Sequence, residues 1–288
     1  MIPTKWRIRA DLRRRRIEDR FAAGRIAGPE VTARSLSALS TFASARRMGI
    51  RTRLLLDLPL LRELHTDLDR AAAAHPSAGF LRNFRASDRW IVRQEREFAL
   101  ADTIEVRGAW VACKLRDRGF NPYPAVQSFP TRKPTSEART LLLAGPAIGR
   151  AGLFEAAAAI RELPGMTLLV RPIDVTPPEI LDHPRIRAAT AAERKHLVGV
   201  DRVLAPSWVE AYSPEVATAS SKGIAIIGTR RAMGFFDGQE VAPGDVAGLR
   251  DTVLRPTHSS DLPCAFAPSF RDSSSARSHS SSSAARSS

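Results

Sequence analysis

DRVLAPSWVEAYSPEVATASSKGIAIIGT, residues 201–229, reads as strand, Pro-Ser loop, lone acid, helix, glycine stop and second strand. Residues 202–205 form a short apolar run, and Pro206 and Ser207 break it where the carboxyl end of a strand opens into a loop. Pro214 suits a first helical turn, Glu215 complements the positive end of the helix dipole, and residues 216–219 supply an apolar face. Gly223 ends that helix, and the apolar run 224–227 reads as a strand buried on both faces of a parallel sheet. Ligands of open α/β sheets sit beyond the carboxyl ends of the strands. Ser207, Glu210 and the backbone N–H groups near Ser213 are therefore candidates to face such a crevice. Glu210 reads equally well as a solvated loop acid.

The chain has 288 residues and is 43% hydrophobic, enough for two domains with cores of their own. Its apolar runs fall far short of the roughly 20 residues of a membrane span, and no apolar signal core follows the basic start. Cys113 and Cys264 form neither a metal spacing nor a disulfide framework. His75, His183 and His196 also lack ligand spacing, so no metal site is expected. A bacterial-type cytoplasmic enzyme fits these features.

The net charge of +14 is concentrated at the start, where residues 1–60 hold about 14 Lys and Arg against about 5 acids. Arg13 to Arg16 run together inside KWRIRADLRRRRIEDRF, where Trp6, Ile8, Leu12, Ile17 and Phe21 recur at loosely helical spacing. Such a helix suits an anionic membrane or nucleic acid, and it also reads as a plain solvated face. With only 2 Tyr and no recognisable binding motif, nucleic acid is the weaker partner.

Along the chain, residues 31–48, closed by Gly49, predict a helix, and 51–56 a strand that stops at Pro59. Helices are expected at 60–74, at 89–100 behind a capping Asp88, and at 108–118 before Gly119. Strands are expected at 101–106 and 125–128, and nothing before residue 31 reads as one. The polar stretch PTRKPTSEAR, 130–139, is a linker. A second unit then runs strand 140–144, loop 145–152, helix 153–162, strand 166–170, a Pro-rich loop and a short helix at 191–198. Asp245 is a cap for the helix after it, and from residue 255 a Ser-dominated stretch reads as a disordered tail. In the loop GPAIGRAG, 145–152, a Gly-rich turn brings backbone N–H groups and a basic side chain within reach of a pyrophosphate. Gly145 and Arg150 are its candidates, and Arg171 follows the next strand. Arg150 also reads as a solvent-facing residue at a helix start.

Pro206, Ser207, Glu210, Gly223 and the 224–227 strand resemble, in register, the donor-sugar loop of retaining glycosyltransferases of the large family four. EFALADTIEVRGAWVACKLRDRGF is similar to that family's first domain through Glu97, Ala101, Asp102, Gly108 and Gly119, and VAPGDVAGLRDTV to its terminal Pro-Gly-Asp turn. The resemblance covers roughly residues 35–253 and implies an α/β fold of two Rossmann-like domains (GT-B), the first incomplete. The division it implies is a basic segment 1–30, a partial acceptor-side domain 31–129, the linker 130–139, a nucleotide-sugar-binding domain 140–254, and a tail 255–288. The donor would be a nucleotide-sugar, with no cofactor. The acceptor would be a cell-envelope lipid or polysaccharide, and the basic segment would contact the anionic inner membrane face peripherally.

By the same resemblance Glu210 touches the donor sugar, Ser207 and Ser213 belong to its loop, and Gly145, Arg150 and Arg171 serve its phosphates. Thr218 stands where the family carries a second Glu, and it can hydrogen-bond but bears no charge. Pro146 and Ala151 stand at the family's phosphate-binding Arg and Lys positions. Asp57, at the end of its strand, and His65 are first-domain candidates for contact with acceptor or donor sugar, with a loop acid and a helix-surface histidine as their plain readings. Catalysis would pass through a carbocation-like sugar as the nucleotide diphosphate leaves. The departures at Thr218, Pro146 and Ala151 keep open a non-catalytic relative that uses the fold as a binding module.

Overall fold

A computed structural model describes residues 4–78, 85–124, 139–209 and 213–255. The expected strand at 125–128, nearly all of the linker, Glu210 and the tail from 256 lie outside them. The first half runs α1 (Thr4–Ala23), β1 (Glu30–Arg34), α2 (Leu39–Arg47), β2 (Arg51–Leu56), α3 (Leu61–Ala74), α4 (Asp88–Leu100), β3 (Thr103–Val106), α5 (Ala109–Asp117) and β4 (Pro122–Pro124). Among the described residues its four strands are all parallel, in the order β1-β2-β3-β4. Along β2 the alternation of burial puts Thr52, Leu54 and Leu56 inward, where the two leucines join Phe42, Phe98, Ile104 and Leu115 in one core.

The helix expected at 31–48 is instead a strand, a turn and a shorter helix. Val31 and Ala33 pair with Thr52 and Leu54 of β2, a partner that local Ala, Ser and Leu content does not reveal. Leu36 then turns the chain with φ 66°. The amino end of α2 is set by acids from distant segments. Glu97 accepts from the N–H groups of Leu36, Ala38 and Leu39 at 2.6, 3.1 and 3.2 Å, and Asp19 accepts from Ser40 and Thr41, both at 2.9 Å.

The second half runs β5 (Thr140–Leu143), α6 (Leu153–Arg161), β6 (Thr167–Val170), α7 (Pro178–Leu181), β7 (Ile186–Ala188), α8 (Ala191–His196), β8 (Arg202–Ala205), α9 (Pro214–Lys222), β9 (Ala225–Gly228), α10 (Arg230–Met233), β10 (Gln239–Glu240) and α11 (Val246–Leu254). These strands form a six-stranded parallel sheet in the order β10-β9-β8-β5-β6-β7. Counted from β5, that is the 3-2-1-4-5-6 order of a dinucleotide-type Rossmann sheet. Both faces are covered. Leu141, Leu143, Leu168, Leu204 and Ile227 pack with α6 and α11, while Leu142, Leu169, Val203 and Ile226 pack with Val216 and Ala219 of α9. Gly223 closes α9 at φ 65°, and Asp245 caps α11 by accepting from the Gly248 N–H at 2.8 Å. The Pro-rich loop contains α7 and β7, the latter held by pairing of Ile186 with Leu168. Among the described residues, no helix is long and apolar enough to cross a membrane.

Candidate functional site at the switch point of the six-stranded sheet

Strand order reverses between β5 and β8, and the loops that leave their carboxyl ends bound the place where such sheets take ligands. Here the two loops are joined. Trp208 N–H donates to the Arg150 carbonyl at 3.0 Å. The Ser207 hydroxyl lies 2.8 Å from the carbonyls of both Arg150 and Val209, and its one proton serves one of them at a time. Gly152, at φ 85°, makes the approach possible, because a Cβ there would stand 2.4 Å from the Pro206 carbonyl oxygen.

Gly145 is buried at φ 79°, just after β5. Arg150 is half-buried, and burial pushes its guanidinium below the ordinary arginine pKa. Arg171 leaves the end of β6. Its carbonyl accepts from the Ala147 N–H at 2.8 Å, and its Nε is buried with no hydrogen-bond partner among the described residues. Thr176 completes this corner by donating to the Ala147 carbonyl at 2.7 Å and accepting from the Ile173 N–H at 2.9 Å. Just before α9, Ser213 bonds to the Glu215 carboxylate, and within it Thr218 donates to the Pro214 carbonyl one turn back at 2.9 Å.

The two first-half candidates have partners of their own. Asp57, at the carboxyl end of β2, has its oxygens 3.8 Å from the Arg15 and 3.9 Å from the Arg34 guanidinium. His65 Nε2 accepts the Ala86 N–H at 2.9 Å, which requires that nitrogen to be unprotonated. Burial, followed by the nearby Arg85, holds its pKa below the usual histidine value, in keeping with that bond.

A cluster that residue patterns alone had not singled out ties α3 to the switch point. Glu155, in the first turn of α6 and 1% exposed, accepts from His75 Nε2 at 2.6 Å and from the Trp208 indole N–H at 2.7 Å. Trp208 and Val209 pack on Leu68, Ala71 and Ala72 of α3, and the turn at Gly244 lies so close that a Cβ there would sit 2.7 Å from the indole. Arg231 pairs with Asp67, donates to the Trp208 carbonyl at 2.9 Å and lies 4.6 Å above the Trp110 ring. Burial raises the Asp67 pKa, against the opposing pull of Arg231. The signals open to a sequence reading were slight: a Glu inside the apolar stretch 153–160 of α6, and a Trp placed directly after Pro-Ser. Among the described residues, no group of side chains is arranged to hold a metal ion.

Two all-parallel α/β sheets, the second of Rossmann order, make this a GT-B-type α/β fold. Among solved structures, the chain is similar to sucrose-phosphate synthase from Thermosynechococcus elongatus, with TM-score 0.58 and 13% identity over 88% of this chain and 70% of that one. It is also similar to Anabaena HepE solved in complex with UDP-glucose, with TM-score 0.53 and 11% identity over 82% of this chain and 70% of that one. A third likeness is to TarM, with TM-score 0.53 and 9% identity, where 78% of this chain spans about half, 47%, of that protein. No protein-family model and no curated protein sequence matches the chain.

Proposed function

We propose that the chain is a nucleotide-sugar-dependent glycosyltransferase of the retaining, family-four type, moving a hexose onto a cell-envelope lipid or polysaccharide. Residues 140–254 would serve as the donor domain and 31–129 as the acceptor side. The observation that carries this reading is the stretch 201–229. Its Pro-Ser loop and α9 follow β8 at the strand-order reversal, beside the glycine-rich loop and the half-buried Arg150. In this reading Arg150, Arg171 and backbone N–H groups stabilise the charge on the departing diphosphate, and Glu210 contacts the sugar. Asp57 and His65 would contact the acceptor or the donor sugar from the first domain. The resemblance of fold to a HepE structure that contains UDP-glucose supports the donor class.

A second reading, a binding module without turnover, is favoured by the internal engagement of the donor-loop groups. The hydroxyls of Ser207 and Thr218 bond to backbone carbonyls, and Trp208 is held by Glu155 and α3. Calorimetry with UDP-glucose, other UDP-hexoses and GDP-mannose tests both readings. Donor binding that is lost in Glu210→Ala, together with release of nucleotide diphosphate, supports the transferase. Binding without turnover selects the module, turnover excludes it, and no binding to any donor sinks the transferase.

A further inference from the structure

One stripe of α3 meets the loop that follows β8. Asp67, Leu68, Ala71, Ala72 and His75 recur at the spacing of a single helical face, and each touches Trp208 or a side chain bonded to it. Trp208 is the centre of these contacts. Its backbone N–H donates to the Arg150 carbonyl of the glycine-rich loop at 3.0 Å, its carbonyl accepts from Arg231 of α10 at 2.9 Å, and its indole N–H donates to Glu155 of α6 at 2.7 Å. All three of its polar groups are thereby engaged, each by a different element, and the residue is buried against α3.

Glu155 is the member of this group that packing does not explain. The rest of the stretch 153–160 is apolar, and an apolar side chain would fill the same place without the cost of burying a carboxylate. Its Oε1 makes both bonds, to His75 Nε2 at 2.6 Å and to the indole, whereas Oε2 is buried with no hydrogen-bond partner among the described residues. The carboxyl group is therefore aimed. It fixes where the indole lies relative to the end of α3, which apolar contact, being non-directional, does not. We propose that Glu155 is a positioning residue of the donor site: through Trp208 it holds the loop after β8 in its donor-binding arrangement, and through His75 it ties that arrangement to α3 of the first half. The inference rests on donor binding at the switch-point loops, and adds to it that α3 sets the geometry of one of them.

Calorimetry of UDP-glucose with the full chain tests this. Glu155→Ala and Trp208→Phe should each lower donor affinity about tenfold, and the double variant should fall no more than about twofold further, because both changes break one link. Glu155→Gln should keep affinity within about threefold of the parent, since an amide oxygen accepts the same two N–H bonds. Trp208→Phe keeps a ring against Leu68 and Ala71, so it carries the test should Glu155→Ala fail to fold. The indole N–H resonance that disappears in Trp208→Phe should shift in the parent on saturation with UDP-glucose, and in Glu155→Ala without it. A lower melting temperature in Glu155→Ala with donor affinity unchanged makes the residue purely structural and overturns the proposal. Additive losses in the double variant overturn it as well, because the two residues then act separately. Equal losses in Glu155→Gln and Glu155→Ala overturn it in favour of direct contact between the carboxylate and the donor. A parent chain that binds no donor removes the transferase reading and this inference together, whereas a parent that binds, with Glu155→Ala unaffected, removes this inference alone.

Discussion

The two sheets begin their first helices in opposite ways. Behind β1, the amino end of α2 is filled by the protein's own carboxylates, with Glu97 and Asp19 accepting five backbone N–H groups between them. Behind β5, the chain enters α6 through a tight turn in which Ala151 and Gly152 donate to the carbonyls of Ile148 and Gly149, both at 3.0 Å. The acid of that first turn, Glu155, points to His75 and Trp208 instead of to the backbone. A helix amino end attracts anions, and the first half satisfies this internally with buried acids. The second half keeps arginines in that neighbourhood. In the proposed function the anionic donor sits at the second loop, and the first is a structural joint.

The largest expected effect attacks that joint. Glu97→Ala strands two buried N–H groups and one part-buried one, and should cost about 3–5 kcal/mol in denaturant unfolding. A loss below about 1 kcal/mol would break the contrast. Burial, opposed by the Ala38 and Leu36 N–H groups, raises the Glu97 pKa from 4.5 to about 7. The folded state thus holds this proton more tightly than the unfolded chain. Its contribution is present below 4.5 and is lost as pH rises toward about 7. Glu97→Gln should remove that slope, and an unchanged pH profile would count against it. Asp19 has the opposite sign, because its pKa is lowered despite burial by N–H bonds from Ser40 and Thr41, and its contribution is lost on acidification below the ordinary 3.8.

Next in size is the switch-point loop, where Gly152→Ala drives a Cβ to 2.4 Å from Pro206. It should cost about 2–4 kcal/mol and weaken donor binding with it, whereas Gly49→Ala, with no atom within 4 Å of its Cβ, should cost only the strain of its φ, about 1 kcal/mol. Equal losses at the two glycines would show that the contact between the loops is unimportant. Arg171→Gln should lower donor affinity about tenfold while moving stability less than about 0.5 kcal/mol. The reverse pattern would make Arg171 structural. Smallest is Thr218→Ala, which removes one bond within α9 and should change stability by less than about 0.5 kcal/mol. Any large loss of donor affinity in that variant would restore a site role to Thr218.

Residues 202–205, 214–223 and 51–56 were legible because their signals are local: apolar runs, a Pro at a first turn, a Gly at a stop. β1 was not legible. Its Val31–Ala33 stretch alternates too briefly to outweigh the helix-forming residues after it, and pairing with β2 decides its state. The candidate site divides in the same manner. Ser207 and Gly145 were found as loop residues after strands, while the Glu155–His75–Trp208 contacts join residues far apart in the chain and leave no spacing to detect.

By itself, the sequence determined the α/β class, the strand and helix unit at 201–229, the capping Asp245 and the basic amino-terminal helix. Each rests on periodicity or on a neighbour within a turn or two. Only the tertiary structure decided that Glu97 closes the first sheet's loop, that Trp208 is clamped against α3, and which side of α1 carries Ile17 and Phe21 outward. Those outcomes depend on which buried polar groups find partners and which apolar faces find neighbours, and both are settled only once distant segments meet.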